Sequence, residues 1–177
     1  MGRYLKALTI FFLITALGCC AFITGCNESQ WDKTHSNTDH GFEMQMMIDG
    51  TQLRPGETLT LRVTVRNISD SEKEYTMWNI GDPAIYTEID TPFGDSFDLK
   101  SPGDPDVVQP AVTHETIQAG ETIEREVTWR VSENDPNGTY IVNARFFPGR
   151  YTDTADSQTM LLSQDIEVID SLEIVER

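Results

Sequence analysis

The stretch Leu53–Asp70, LRPGETLTLRVTVRNISD, decides the fold. In it Leu59, Leu61, Val63 and Val65 alternate with Thr58, Thr60, Arg62, Thr64 and Arg66. A period of two sends successive side chains to opposite faces of a strand, so this segment reads as a strand with one buried and one wet face. Arg54-Pro55-Gly56 before it and Asn67-Ile68-Ser69-Asp70 after it are turn chemistry.

The same pattern extends outward in both directions. Upstream, Phe42, Met44, Met46 and Ile48 alternate with polar residues. Downstream, strands are expected at about 73–79 and 84–90, separated by Gly81-Asp82-Pro83, and at 96–99 after the turn Thr91-Pro92-Phe93-Gly94-Asp95. Residues 100–111 hold three prolines and read as a loop or irregular edge. A strand at 112–117 leads through Gln118-Ala119-Gly120 into 121–131, where Ile123, Val127, Trp129 and Val131 share a face with the aliphatic stem of Arg125. Asp135-Pro136-Asn137-Gly138 is a strong turn signal, and Tyr140, Val142, Ala144 and Phe146 alternate after it. A last strand is expected at 159–169. No segment carries a helical period. The expectation is an all-β fold, an immunoglobulin-like antiparallel β-sandwich of about seven to nine strands, with a closed barrel as the rival. Trp78 and Trp129 are expected in its core.

An internal echo links two of these strands. Gly56-Glu57-Thr58 recurs as Gly120-Glu121-Thr122, and Val63-Thr64-Val65-Arg66 as Val127-Thr128-Trp129-Arg130, both offset by 64 (120 − 56 and 127 − 63). So short an echo is no tandem repeat; it marks two strands that do the same job.

The N-terminus has a different character. Arg3 and Lys6 are the only charges before Glu28, and the apolar run ALTIFFLITALGCCAFITG follows them to Cys26. A short cationic head followed by an apolar stretch has the build of an export signal. Ile23-Thr24-Gly25-Cys26 resembles the lipobox of bacterial lipoprotein signals, which implies cleavage after Gly25 and diacylglycerol on the Cys26 thiol. An uncleaved membrane anchor stays open, because residues 7–25 approach the ~20 apolar residues that span a bilayer. So do use of Cys19 and an ordinary secretory signal. Myristoylation is disfavoured, since Lys6 stands where Ser or Thr is wanted. The chain divides into a signal at 1–25, a polar stalk at 26–41 and a sandwich at 42–177. The stalk, including NESQWDKTHSNTDHG, lacks periodicity and reads as flexible, with Trp31 a solitary exposed aromatic.

Cleavage leaves 152 residues (177 − 25), enough for one domain with a full core. All three cysteines lie at or before position 26, so the folded part has no disulfide, thiol nucleophile or cysteine metal ligand. The whole chain carries −16, and loss of Arg3 and Lys6 makes that −18, from 29 acids against 11 bases. Such a charge argues against nucleic acid or anionic lipid as a partner, because phosphates need a basic surface.

Little in the sequence points to catalysis. Two of the three histidines, His35 and His40, lie in the stalk; His114 has no Gly-x-Ser-x-Gly elbow to serve. Asp104-Pro105-Asp106 with Glu115, and Glu133–Gly138, faintly suggest calcium loops. Val108 and Gln109 in the first, and Ala144 in the second, stand where an EF-hand needs other residues. No metal, no cofactor and no enzyme activity are expected. The best candidate for binding is the proline-stiffened acidic loop bearing Pro102, Asp104, Pro105, Asp106, Val107, Val108 and Pro110. Its prolines lower the ordering cost of binding, and its two valines offer an apolar anchor.

Four segments together resemble the intracellular proteinase inhibitor (BsuPI-type) domain family. They are LRPGETLTLRVTVRNISD at 53–70, AIYTEIDTPFGDSF at 84–97, TIQAGETIEREVTWRV at 116–131 and GTYIVNARF at 138–146. Ala119 departs from the proline usual in the second turn, and the 100–112 loop is longer and more acidic than typical. The resemblance implies an immunoglobulin-like sandwich and protease inhibition. The expectation is a lipid-anchored protein on the extracytoplasmic face of the cell membrane that binds a protein partner, a protease in the form the resemblance implies. The alternative is a structural, assembly or adhesion module of the cell envelope.

Overall fold

A computed structural model describes residues 31–80, 83–102, 104, 109–150 and 159–169. The strands are β1 (Lys33–Asp39), β2 (Phe42–Ile48), β3 (Gln52–Leu53), β4 (Thr58–Asn67), β5 (Lys73–Ile80), β6 (Tyr86–Asp90), β7 (Ser96–Asp98), β8 (Gln109–Ile117), β9 (Thr122–Arg130), β10 (Gly138–Phe146) and β11 (Met160–Val168). One sheet has the order β1-β2-β4-β9, the facing sheet β3-β11-β10-β6-β7, and β5 and β8 form a two-stranded pair. Both large sheets are open, so the protein is an all-β sandwich and not a barrel. The chain changes sheets between β2 and β3, where Leu53 runs parallel to Val168.

The alternation at 58–67 has the expected effect. Leu59, Leu61, Val63 and Val65 are buried against Met44, Met46 and Ile48 from β2 and Val142, Ala144 and Phe146 from the facing sheet. Burial of each such aliphatic side chain contributes about 1.5–3 kcal/mol. Tyr140 marks the fold as immunoglobulin-like. It sits near the start of β10, and its hydroxyl donates to Pro136 O at 2.9 Å, the back-bond of a tyrosine corner. Trp129 packs on its ring with centroids 5.0 Å apart.

The 64-residue echo is a local two-fold axis. β4 and β9 pair antiparallel, with Arg62 opposite Glu126 at the centre. Gly56 N donates to Val131 O at 2.8 Å, and Gly120 N donates to Asn67 O at 2.9 Å. Val131 N returns a bond to Glu57 O, as Asn67 N does to Glu121 O. In each turn the Glu carboxylate accepts a backbone bond three residues upstream, from Arg54 N and Gln118 N. Both glycines have positive φ (88° and 76°), which a side chain at these turns would strain.

Several expectations are corrected. The stalk assigned to 26–41 gives seven of its residues to β1, which pairs along the whole of β2 through a turn at His40 and Gly41 with φ of 51° and 84°. Its sequence, KTHSNTD, has no apolar period to read, because it is an edge strand; polar side chains suit an edge and cap the exposed flank of β2. Trp31 is not a solitary exposed ring. It is half-buried, with the Arg62 guanidinium 5.1 Å from its centroid.

Of the loop or irregular edge expected at 100–111, the structure gives an irregular edge from 109 onward. β8 begins at Gln109 and takes in Pro110, tolerated there because β8 is an edge and its partner β5 has a register shift between Met77 and Asn79. Trp78, in that irregularity, is half-buried and packs edge-on against Phe147 instead of joining the core. With β1 and β3 included, eleven strands are assigned among the described residues, above the expected seven to nine.

Candidate functional site

Asp104 of the expected binding loop is held in a clamp made by Arg125. β9 turns this side chain to the inner face, as the alternation of 121–131 requires. An arginine there must bond every donor it buries. Its Nη2 donates to Asp104 Oδ2 at 2.6 Å and to Leu99 O at 2.9 Å; Nη1 donates to Asp104 Oδ1 at 3.2 Å, and Nε to Thr87 Oγ1 at 3.2 Å. Arg125 and Asp104 keep only 8% and 17% of their side-chain surface exposed. This is a two-pronged, largely desolvated ion pair, the geometry in which arginine binds carboxylate best.

Ser101 completes the clamp. Its N–H donates to Asp104 Oδ2 at 2.7 Å, its hydroxyl donates to Glu126 O at 2.6 Å, and Asp104 N donates back to Ser101 O at 3.1 Å. The hydrogen bond from Arg125 holds the Asp104 carboxyl below its ordinary value, helped by the Ser101 N–H and opposed by partial burial. Beside the clamp lies a cleft of about 320 Å³ lined by Ala84, Ile85, Ser101, Ile123 and Arg125 among others.

Of the seven loop residues singled out in the sequence, Asp104 is thus a structural base and not a free ligand. Pro102 is exposed beside it. Pro110 belongs to β8, opposite Asn79. Pro105, Asp106, Val107 and Val108 lie outside the described residues, as do Gly25 and Cys26. In the sequence Arg125 already stands in register with four apolar residues; the buried acidic partner that this calls for is what the sequence reading does not name.

The other chemical candidates do not converge. His35 Nε2 is 2.5 Å from Gln164 Oε1, His40 pairs with Asp39 at 3.1 Å, and His114 Nδ1 is 3.2 Å from Thr76 Oγ1. Among the described residues no three His, Cys, Asp or Glu side chains come together to hold a metal. Among them, too, no helix is long and apolar enough to cross a membrane.

No protein-family model matches the chain, and no curated protein matches it. Solved structures do. The alkylpurine DNA glycosylase AlkC of Pseudomonas fluorescens is 13% identical, with a TM-score of 0.43 over 72% of this chain and 30% of that one. The sporulation control protein Spo0M of Bacillus subtilis is 12% identical, with a TM-score of 0.44 over 73% and 50%. The CARDB domain of PF1109 from Pyrococcus furiosus is 12% identical, with a TM-score of 0.42 over 76% and 95%. This chain spans half or less of the first two. At such identities and TM-scores, none of the three says what this chain does.

Proposed function

We propose that this chain is a lipid-anchored protein on the extracytoplasmic face of the cell membrane, and that it binds a protein partner rather than catalysing a reaction. The observation that carries the reading is the Arg125–Asp104–Ser101 clamp. It ties Ser101 and Asp104 to β9. A loop with a fixed base loses less conformational entropy when a partner closes on it. The net charge of −16 fits a protein partner and disfavours nucleic acid.

Protease inhibition is the specific form that the family resemblance implies. It is tested by titrating a serine protease with the intact protein and with a variant in which 105–108 is replaced by Gly-Ser-Gly-Ser, leaving the clamp whole. Saturable inhibition lost in the variant supports the reading; inhibition unchanged in the variant removes the loop from it. A second reading, an envelope assembly module that pairs through a sheet edge, is favoured by β8, which among the described residues has a strand neighbour on one side only. Crosslinking in native membranes that recovers a non-protease partner through β8 would support that reading instead.

A further inference from the structure

The end of the sandwich where the chain enters also carries the most exposed aromatic residue among those described. Asp32 N donates to Ile48 O at 2.8 Å, which places the start of the folded chain at the Ile48 end of β2. β4 begins and β9 ends there, with Thr58 opposite Arg130. β10 starts from the same end, and β6 finishes beside it, with Asp90 opposite Ile141. The 91–95 turn therefore projects from this end. A Cβ on Gly138 would lie 3.0 Å from Pro92. At the tip stands Phe93, 77% exposed.

The tip is internally bonded. Thr91 N donates to Asp95 O at 2.7 Å, Gly94 N to Thr91 O at 3.0 Å, and Asp95 N to Thr91 Oγ1 at 3.2 Å. A single exposed apolar residue means little by itself. The length of the tether gives this one a setting. With Lys33–Asp39 built into the sandwich, only five backbone steps separate Cys26 from Trp31, and fully extended they reach about 18 Å.

We propose that this end faces the bilayer and that Phe93 enters its interfacial region; the proposal rests on lipidation at Cys26. The occupant is a lipid surface. An aromatic side chain gains there by leaving water at the boundary of headgroup and acyl chain. One residue suffices because the anchor makes the contact intramolecular, at high effective concentration. Asp32, Asp49, Glu57, Asp95, Glu133 and Asp135 lie at this end against Lys33, Arg54 and Arg130. They limit entry to the tip and make anionic lipid unfavourable.

The test uses the full lipoprotein carrying Phe93→Cys or Ala119→Cys, each labelled with an environment-sensitive fluorophore. Ala119 lies in the turn at the opposite end, beyond the ten residues of β4, roughly 30 Å away. The protein is placed in phosphatidylcholine vesicles with headgroup-level nitroxide lipids. Quenching is expected at 93 and not at 119. It should be lost when a Gly-Ser linker of about 12 residues, adding roughly 20 Å of mean reach, is inserted after Asn27. It should weaken as phosphatidylglycerol replaces phosphatidylcholine. Equal quenching at both positions, none at 93, or quenching that survives the linker would overturn the proposal. Mass spectrometry of the same preparation separates the premise: a mature Cys26 without diacylglycerol overturns the anchoring reading itself.

Discussion

Arg125 Nη2 lies 2.6 Å from Asp104 Oδ2, joining the buried face of β9 to the base of a loop 21 residues earlier in the chain. Removing the guanidinium would take from Asp104 its chief counter-charge, leaving only the lesser pull of Lys100, and take a donor from Leu99 O. Arg125→Leu should cost about 3 kcal/mol, toward the low end for a broken buried pair because Asp104 keeps some contact with water. For a domain of this size that lowers Tm by roughly 6–12 °C. Asp104→Asn turns an amide N–H2 toward the more deeply buried guanidinium and removes its counter-charge, so it should cost at least as much. Thermal melts of both variants check the order.

The same pair sets a pH dependence. Asp104 in the folded protein titrates below its ordinary value of about 3.8, chiefly because Arg125 bonds the charged form. A depressed folded value means that the contribution is present above the unfolded value and lost as pH falls through the folded one. The Tm difference between the natural protein and Asp104→Asn should therefore be constant from neutrality down to about pH 4 and shrink below it. A difference that shrinks between pH 7 and 5 would contradict the assignment.

Asn67 is fully buried and uses its whole side chain. Its Nδ2 donates to Ser71 O and Ile117 O, each at 2.8 Å, and its Oδ1 accepts from Ser69 N and Ser69 Oγ. Asn67→Ala should cost about 2–4 kcal/mol, since it strands these backbone partners. Asn67→Asp should cost as much, because a carboxylate cannot donate to two carbonyls. Urea unfolding gives both numbers.

β1 shields the flank of β2. A chain starting at Phe42 should remain folded, because the core residues of β2, β4 and β9 stay in place, but it exposes the unpaired edge of an apolar strand. Such an edge invites pairing between copies. Size-exclusion chromatography should show oligomers for this truncation and a monomer for a chain starting at Trp31.

The fold was legible wherever one face is buried: the alternation of 42–48, 58–67 and 138–146 gave strands with the correct inward residues. The echo at 56 and 120 was visible as well, though not that the two strands pair about a two-fold axis, since a repeated turn has no direction until the strands meet. β1 was hidden because polar edge strands leave no period. The clamp was half legible. The pattern put the Arg125 stem on the inner face, but nothing local to residue 125 names a partner at 104.

The central claim is that the segment on this clamp binds and inhibits a serine protease. Its most direct measurement is the titration of a serine protease with the intact chain and with the 105–108 Gly-Ser replacement, with melting followed in parallel. The account predicts saturable inhibition by the intact chain, at least about tenfold weaker in the replacement (about 1.4 kcal/mol) at an unchanged Tm. No inhibition by the intact chain, or equal inhibition by both, would contradict it.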